Sequence, residues 1–233
     1  MTQSSAPVLD LTRRVLFQND SVIIIDKPSG IAVHAGSHKD DSLMAHLDQL
    51  RGGLPDIPHL AHRLDRDTSG CLVLGRTKKA LARLGKLFTH GVAEKTYWAV
   101  VVGEPQQEGG VIDAPLAKVD KHRGWRMMVD RREGQPSVTE WRVMARGPRL
   151  TWIEAKPKTG RTHQIRVHLA SIGCPVLGDR IYGHGVADLD GYPLHLHARA
   201  IALPFVYKQP PIVAEAPIPP HMLETFKRCG WQS

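Results

Sequence analysis

Apolar residues recur along this chain at two periods, and segments that alternate at period two or form short unbroken runs outnumber those at helical spacing. Ser21-Val22-Ile23-Ile24-Ile25-Asp26, closed by Lys27-Pro28-Ser29-Gly30, is a β-branched run that ends in a turn and predicts a buried strand. Cys71-Leu72-Val73-Leu74 predicts another. Further strands are expected from Lys95 to Val102, over about 137–145 and 149–157, and from His195 to Leu203, where Pro204 stops the alternation. Helical spacing is sparser. Ser42 caps a short helix that runs to about Arg51 and is stopped by Gly52-Gly53-Leu54-Pro55. From Thr77, the residues Leu81, Leu84 and Phe88 recur with Lys78, Lys79, Arg83 and Lys86 between them, which predicts an amphipathic helix with a basic outer side. Thr162 starts another, with Ile165, Leu169 and Ile172 on one stripe and Gly173 and Pro175 at its end.

Several strands follow one another without an intervening helix, so the expected fold class is α+β, with a central, mainly antiparallel mixed sheet flanked by helices and loops. A doubly wound dinucleotide fold is not expected, because neither Gly-x-Gly-x-x-Gly nor a Walker loop is present. Residues 1–14 carry no capping or periodic signal and are expected to hang loosely, while 15–233 form a single domain that becomes proline-rich from about 205.

With 42% hydrophobic and 23% charged residues, the chain has the composition of a folded globular protein, which excludes intrinsic disorder. No run approaches the roughly 18 apolar residues of a membrane span, and the polar start lacks a signal-peptide pattern, so a cytoplasmic location is expected. Three distant cysteines make neither a disulfide framework nor a thiolate zinc site. His59 with His62, and His195 with His197, have spacings that metal sites sometimes use, but no third ligand is evident and no metal is expected. The 31 Lys and Arg against 23 Asp and Glu leave +8, which fits either a polyanionic partner or a solvated basic surface. Lys118, Lys121, Arg123, Arg126, Arg131 and Arg132 crowd around Trp125 between predicted strands and read as a phosphate-facing loop or hairpin.

The segment with the most chemistry is His62-Arg63-Leu64-Asp65-Arg66-Asp67-Thr68-Ser69-Gly70. Two guanidiniums flank Asp65 and favour its ionised form, a standing anion that could serve as nucleophile or base; read alone, the segment fits a surface ion-pair knot with a turn better than a catalytic site.

This segment resembles the signature of the RluA-type RNA pseudouridine synthases, which isomerise a uridine within an RNA chain. The resemblance extends to Lys27-Pro28-Ser29-Gly30 with Val33-His34, and to Lys95-Thr96-Tyr97-Trp98-Ala99. It continues through Gly160-Arg161-Thr162-His163-Gln164-Ile165-Arg166-Val167-His168, Pro175-Val176-Leu177-Gly178-Asp179 and Leu196-His197-Ala198. Together these cover roughly residues 15–205 in order. The resemblance implies a pseudouridine-synthase-like catalytic domain that works without cofactor or metal. It implies Asp65 as the essential carboxylate, Tyr97 as the ring that stacks on a flipped target base, and Arg166 as the partner of Asp65. The Tyr97 hydroxyl is also placed to help remove the C5 proton. Without the neighbouring motifs, Tyr97 would read as a half-buried strand residue and Arg166 as a solvent-facing helix residue.

Candidate RNA contacts are Arg63, Arg66, Lys95 and the helix start Arg161, Thr162 and His163, where free backbone N–H groups favour a phosphate. Arg63 is further placed to enter the space that a flipped base leaves. Only about 14 residues precede the matching block, so the S4-type domain of many relatives is not expected and RNA selection falls to the catalytic domain. The implied partner is structured RNA, a stem-loop of rRNA or tRNA, bound by a monomer. One alternative is a catalytically silent RNA-binding or ribosome-assembly factor on the same fold, against which Asp65 speaks, since an anion in a phosphate-facing cleft repels the ligand. A metal-dependent nuclease using the histidines is a further alternative, and a chelator separates it from the first reading.

Overall fold

The succession of strands assembles into one ten-stranded sheet. The structure is a computed structural model that describes residues 9–34, 42–119, 126–183 and 191–232. In chain order the strands are β1 (Val15–Gln18), β2 (Val22–Lys27), β3 (His59–Leu60), β4 (Ser69–Gly75), β5 (Glu94–Val102), β6 (Gly109–Asp113), β7 (Leu116–Lys118), β8 (Met127–Val129), β9 (Val138–Gly147), β10 (Leu150–Pro157), β11 (Leu196–Leu203) and β12 (Ile212–Glu215). The helices are α1 (Lys78–Thr89), α2 (Gln164–Ser171) and α3 (Pro220–Arg228). The sheet runs β1-β2-β4-β11-β5-β10-β9-β6, with β12 added on β11 and β3 on β4, while β7 and β8 form a separate hairpin. Among the described strand pairs β4 with β11 is parallel and the others are antiparallel.

The sequence periodicity fixes what each element buries. All four residues Val22–Ile25 of β2 are fully buried, and they pack with β4 and with Ala80 and Leu84 of α1, whose Lys78, Lys79, Arg83 and Lys86 stay exposed. Thr77 caps α1 by accepting the Ala80 N–H at 3.1 Å, which satisfies one of the amides that a helix start leaves unpaired. Ile165 and Leu169 of α2 pack with Ala99, Val101 and Ile153 of β5 and β10. Another cluster joins Val100, Val102 and Trp152 to Met222 and Phe226 of α3.

Several expectations need correction. The segment after Ser42 is a 3-10 helix over Leu43–Leu50, not a full α-helix. The helix expected from Thr162 begins at Gln164, because His163 takes a left-handed φ of 54°, and Ile172 lies beyond its end. Residues 11–14 do not hang loosely: Leu11 is fully buried, its N–H bonds to Gln49 Oε1 at 2.8 Å, and Thr12–Arg14 form a 3-10 turn leading into β1. Residues 1–8 lie outside the described residues. The proline-rich end carries β12 and α3, since Pro220 suits the first turn of a helix and Met222, Thr225 and Phe226 give it a buried face. No helix among the described residues is long and apolar enough to cross a membrane.

The parallel contact of β4 with β11 decides where the Asp65 loop ends. Ser69 and Gly70 pair with His197 and Ala198, and the Ser69 hydroxyl lies 2.8 Å from His197 Nδ1. Gly70 holds φ at +105°, and a Cβ there would meet the Ala198 carbonyl oxygen at 2.3 Å. Both the backbone conformation and the space therefore demand glycine. Gly70→Ala is expected to destabilise the fold by more than about 3 kcal/mol, read from the urea unfolding midpoint; an unchanged midpoint would remove the close-approach argument.

His195, just before β11, and His197 on it are buried, and burial lowers both to about 4. His62 is lowered to about 3, first by burial and then by the charge of Lys95. Unfolded imidazoles protonate near 6.5, so between pH 6.5 and about 4 the unfolded chain binds more protons and stability falls as the pH drops. Urea unfolding between pH 7 and pH 5 should show this loss, with a slope that approaches about three protons; a flat profile would mean that the three rings are not held neutral.

Candidate active site

The loop bearing Asp65 is the long connection of the β3–β4 hairpin, and specific side chains take over where backbone pairing stops. Leu60 pairs with Leu74, and the Ala61 N–H donates to the Val73 carbonyl at 3.0 Å. The reciprocal Val73 N–H then finds the imidazole Nε2 of His62 at 3.0 Å in place of a strand carbonyl. This requires a neutral ring, which burial provides, and the ring stacks on Phe88 with centroids 4.4 Å apart. The chain leaves the sheet at that point. Leu64 turns into the core, and the Thr68 N–H donates back to the Asp65 carbonyl at 3.2 Å, which closes the loop before β4 begins.

From below, the loop is held by Lys27. Its side chain is fully buried, and Nζ donates to the carbonyls of Pro28, Ile31 and Arg66 at 2.7, 2.8 and 2.9 Å. Three acceptors match the three donors of an ammonium group. Burial lowers Lys27 to about 7, while the charges of Asp67, Asp65 and Asp26 oppose that shift. Ser29 Oγ donates to the Asp67 carbonyl at 2.7 Å, and the Gly30 N–H to that of Arg66 at 3.0 Å. The Lys27-Pro28-Ser29-Gly30 turn is thus the bracket on which the Asp65 loop rests.

The sides of the site come from α2 and the segment after it. Arg166, in the first turn of α2, is buried, and its guanidinium grips Asp179 through two bonds, Nε to Oδ2 at 2.7 Å and Nη2 to Oδ1 at 2.8 Å. Its remaining Nη1 lies 3.4 Å from Asp65 Oδ2. The distances rank the partners: Arg166 belongs first to Asp179 and touches Asp65 second. Burial would raise the Asp179 carboxyl, but the hydrogen bond and charge of Arg166, with the N–H groups of Ile181 and Tyr182, hold it below the usual range. His163 Nε2 lies 3.8 Å from Asp65 Oδ2, and its Nδ1 lies 2.7 Å from the hydroxyl of Tyr182. The Asp65 side chain remains 18% exposed.

Tyr97 stands on β5 where β11 carries an extra residue, since His197 pairs with Trp98 but Ala200 already pairs with Thr96. A bulge of this kind bends its strand and re-aims neighbouring side chains. The ring packs against both the β2–β4 core and the β5–β10 core, at the seam between them. Burial, reinforced by the charge of Asp65 and by Cys71, raises the phenol far above its ordinary value, so at neutral pH the hydroxyl is present as the neutral form and is a poor base for a C5 proton.

Arg63, Arg66 and Arg161 are exposed, with Arg63 and Arg66 on the loop beside Asp65, and Arg161 Nε bonded to the Pro136 carbonyl at 3.3 Å. Thr162 is half-buried, and Lys95 is held by the Thr159 carbonyl at 3.2 Å and lowered to about 8 by burial. His163 departs from the surface role expected of it: its side chain is only 8% exposed and faces the carboxylate. The basic segment does form a hairpin, β7–β8, with Lys118, Arg126, Arg131 and Arg132 exposed, whereas Lys121, Arg123 and Trp125 lie outside the described residues. Among the described residues no group of three or more His, Cys, Asp or Glu could hold a metal ion.

Residues 21–171, which contain the Asp65 loop, Tyr97 and Arg166, match a family model described as RNA pseudouridylate synthase. The chain belongs to this family. It is an RNA pseudouridine synthase, an isomerase. An uncharacterised RNA pseudouridine synthase of Zymomonas mobilis is 41% identical over 212 residues, covering 90% of this chain and 95% of that one. The ribosomal large subunit pseudouridine synthase D of Xanthomonas campestris is 36% identical over 234 residues, covering 94% of this chain and 70% of its own length. Among solved structures, human RNA pseudouridylate synthase domain containing 4 superposes with a TM-score of 0.80 at 29% identity, covering 96% and 95% of the two chains.

Sequence reasoning about the synthase singled out Asp65, Tyr97 and Arg166, and the fold brings all three to the junction of β4, β11 and β5. It passed over Lys27, Asp179 and Tyr182 as actors. Lys27 and Asp179 lay inside motifs already noted, and a lysine at the end of a strand whose first four residues are all β-branched and apolar was the signal that could have found the first. Arg166→Ala would leave the fully buried Asp179 carboxylate with backbone donors alone, so both activity and about 3–5 kcal/mol of stability should be lost. Arg166→Lys, which cannot make the paired bonds, should lose most of both. Unchanged melting of either variant would show that the Arg166–Asp179 pair does not brace the fold.

Proposed function

We propose that the synthase turns a uridine out of structured RNA into the cleft beside Asp65 and isomerises it there, with Asp65 as the catalytic carboxylate. The observation that carries this reading is the placement of one partly exposed carboxylate on a braced loop, between a buried guanidinium and a strand tyrosine that feels its charge. In the reaction the C1′–N1 bond breaks, the uracil turns, and C1′ bonds to C5. The C5 proton is lost while N1 gains one, so the product is an isomer and no redox partner is needed. Asp65 acts at C1′, at C6 or on a ribose proton, and each route needs an anion held beside the sugar.

Tyr97, kept neutral, serves as the aromatic face for the extruded base, whose unstacking costs a few kcal/mol. Arg63, Arg66 and Arg161, exposed around the loop, and Lys95, Thr162 and the basic β7–β8 hairpin supply phosphate contacts. The substrate class is favoured to be large-subunit ribosomal RNA, in keeping with the name of the Xanthomonas campestris relative, a ribosomal large subunit pseudouridine synthase. A tRNA stem-loop is the other candidate.

The test is to incubate total RNA from cells lacking the gene with purified protein and excess chelator, and to map new pseudouridines by carbodiimide-stopped primer extension. The native protein should create a defined site in ribosomal RNA. Asp65→Asn should lower the rate by at least about a hundredfold, while RNA binding stays equal or tightens because a charge that repels phosphate is gone. Its melting should hardly change, since Arg166 keeps Asp179. An active Asp65→Asn would refute the catalytic assignment, a site in tRNA would replace the substrate class, and dependence on metal would overturn the cofactor-free mechanism.

A further inference from the structure

Arg166 and His163 converge on one oxygen of Asp65. Arg166 Nη1 lies 3.4 Å and His163 Nε2 3.8 Å from Oδ2. Behind His163 the hydrogen bonds form a chain. The Met127 N–H of β8 donates to the Tyr182 hydroxyl oxygen at 3.0 Å, and the hydroxyl can in turn donate its hydrogen to His163 Nδ1, 2.7 Å away. Burial raises the Tyr182 phenol and thus keeps that hydrogen in place. With Nδ1 accepting, the imidazole hydrogen must sit on Nε2, the nitrogen that faces Asp65. The Tyr182 ring is itself fixed, because the Arg166 guanidinium lies 5.2 Å from its centroid and the Tyr182 N–H bonds to Asp179 Oδ1 at 3.1 Å.

We propose that His163 and Tyr182 are positioning residues of the synthase: Tyr182 sets the imidazole tautomer, and His163 with Arg166 holds Oδ2 of Asp65 so that Oδ1 is the oxygen presented to the target nucleoside. The arrangement is that of an orienting pair, in which one group fixes a ring so that the ring can aim another, and its value lies in holding the reacting atom within a fraction of an ångström. It also explains the left-handed φ of 54° at His163, a strained position for a side chain this large, since that backbone turn carries the ring inward at the start of α2. The charged groups around His163 are Asp65, Asp179, Arg166 and Arg63; burial lowers its pKa, Arg166 and Arg63 reinforce that, and the opposing charges of Asp65 and Asp179 do not reverse it, so the ring is neutral as the scheme requires. The proposal rests on Asp65 being the catalytic carboxylate.

The test compares His163→Gln with His163→Phe, two side chains of similar reach that share the same backbone strain and differ in whether they carry an N–H donor. The substrate is total RNA from cells that lack the gene and were fed uridine tritiated at C5, because forming the C5–C1′ bond releases that tritium to water. His163→Phe is expected to lose about tenfold or more in the saturating rate, with the half-saturating RNA concentration and melting temperature unchanged relative to His163→Gln. His163→Gln should stay within about threefold of the native rate, and Tyr182→Phe, which keeps the ring over Arg166, should fall between the two. Equal rates for the Gln and Phe variants would overturn the proposal, as would a loss seen only in the half-saturating concentration, which would make His163 an RNA contact. Asp65→Asn run alongside separates the two readings: if it stays active, the role of Asp65 fails. If it is inactive while His163→Phe is unimpaired, only the positioning proposal fails.

Discussion

The guanidinium of Arg166 is buried, and a buried cation is tolerated only where anions and acceptors surround it. Asp179 supplies two short bonds, Tyr182 a ring face, and Asp65 a longer contact on the side that opens to solvent. The cost of burying the charge is thus met almost entirely by Asp179, which leaves Asp65 attracted to Arg166 but not neutralised by it. A carboxylate locked in two short bonds would be a poor nucleophile or base. Asp65 is instead met at longer range, by Arg166 Nη1 at 3.4 Å and His163 Nε2 at 3.8 Å.

The loop carrying Asp65 obeys the same logic in its backbone. A polar excursion of this length would ordinarily move, and it gains nothing from a hydrophobic stripe of its own. It is fixed at its start by the His62 imidazole standing in for a strand carbonyl, underneath by the three bonds of Lys27, and at its end by the close approach of Gly70 to β11. The first two anchors are polar groups held by hydrogen bonds, and such groups specify one geometry because leaving them unpaired is costly. Arg63, Arg66 and Arg161 are, by contrast, exposed.

Much of this was legible along the chain. The strands around Val22–Ile25, Leu72–Leu74, Tyr97–Val102 and the 138–157 pair, and the basic amphipathic helix after Thr77, each announce themselves by local period, because burial of one face leaves a repeating trace. Local pattern was silent on α3, which follows a run of prolines and buries few residues, and on Leu11, a lone apolar anchor in a polar stretch.

The sequence by itself determined many of the elements and the family resemblance, and it singled out Asp65 as the candidate carboxylate, since these rest on neighbouring residues and ordered motifs. Only the tertiary structure decided what each charge meets. Arg166 and Asp65 are 101 residues apart and Ser69 and His197 are 128 apart, and no local period encodes such pairs. In the sheet β11 lies inserted between β4 and β5, which both precede it in sequence. That insertion is settled by packing the whole sheet at once, where the most favourable burial of every strand, and not the preference of any one, sets which side chains share a cleft.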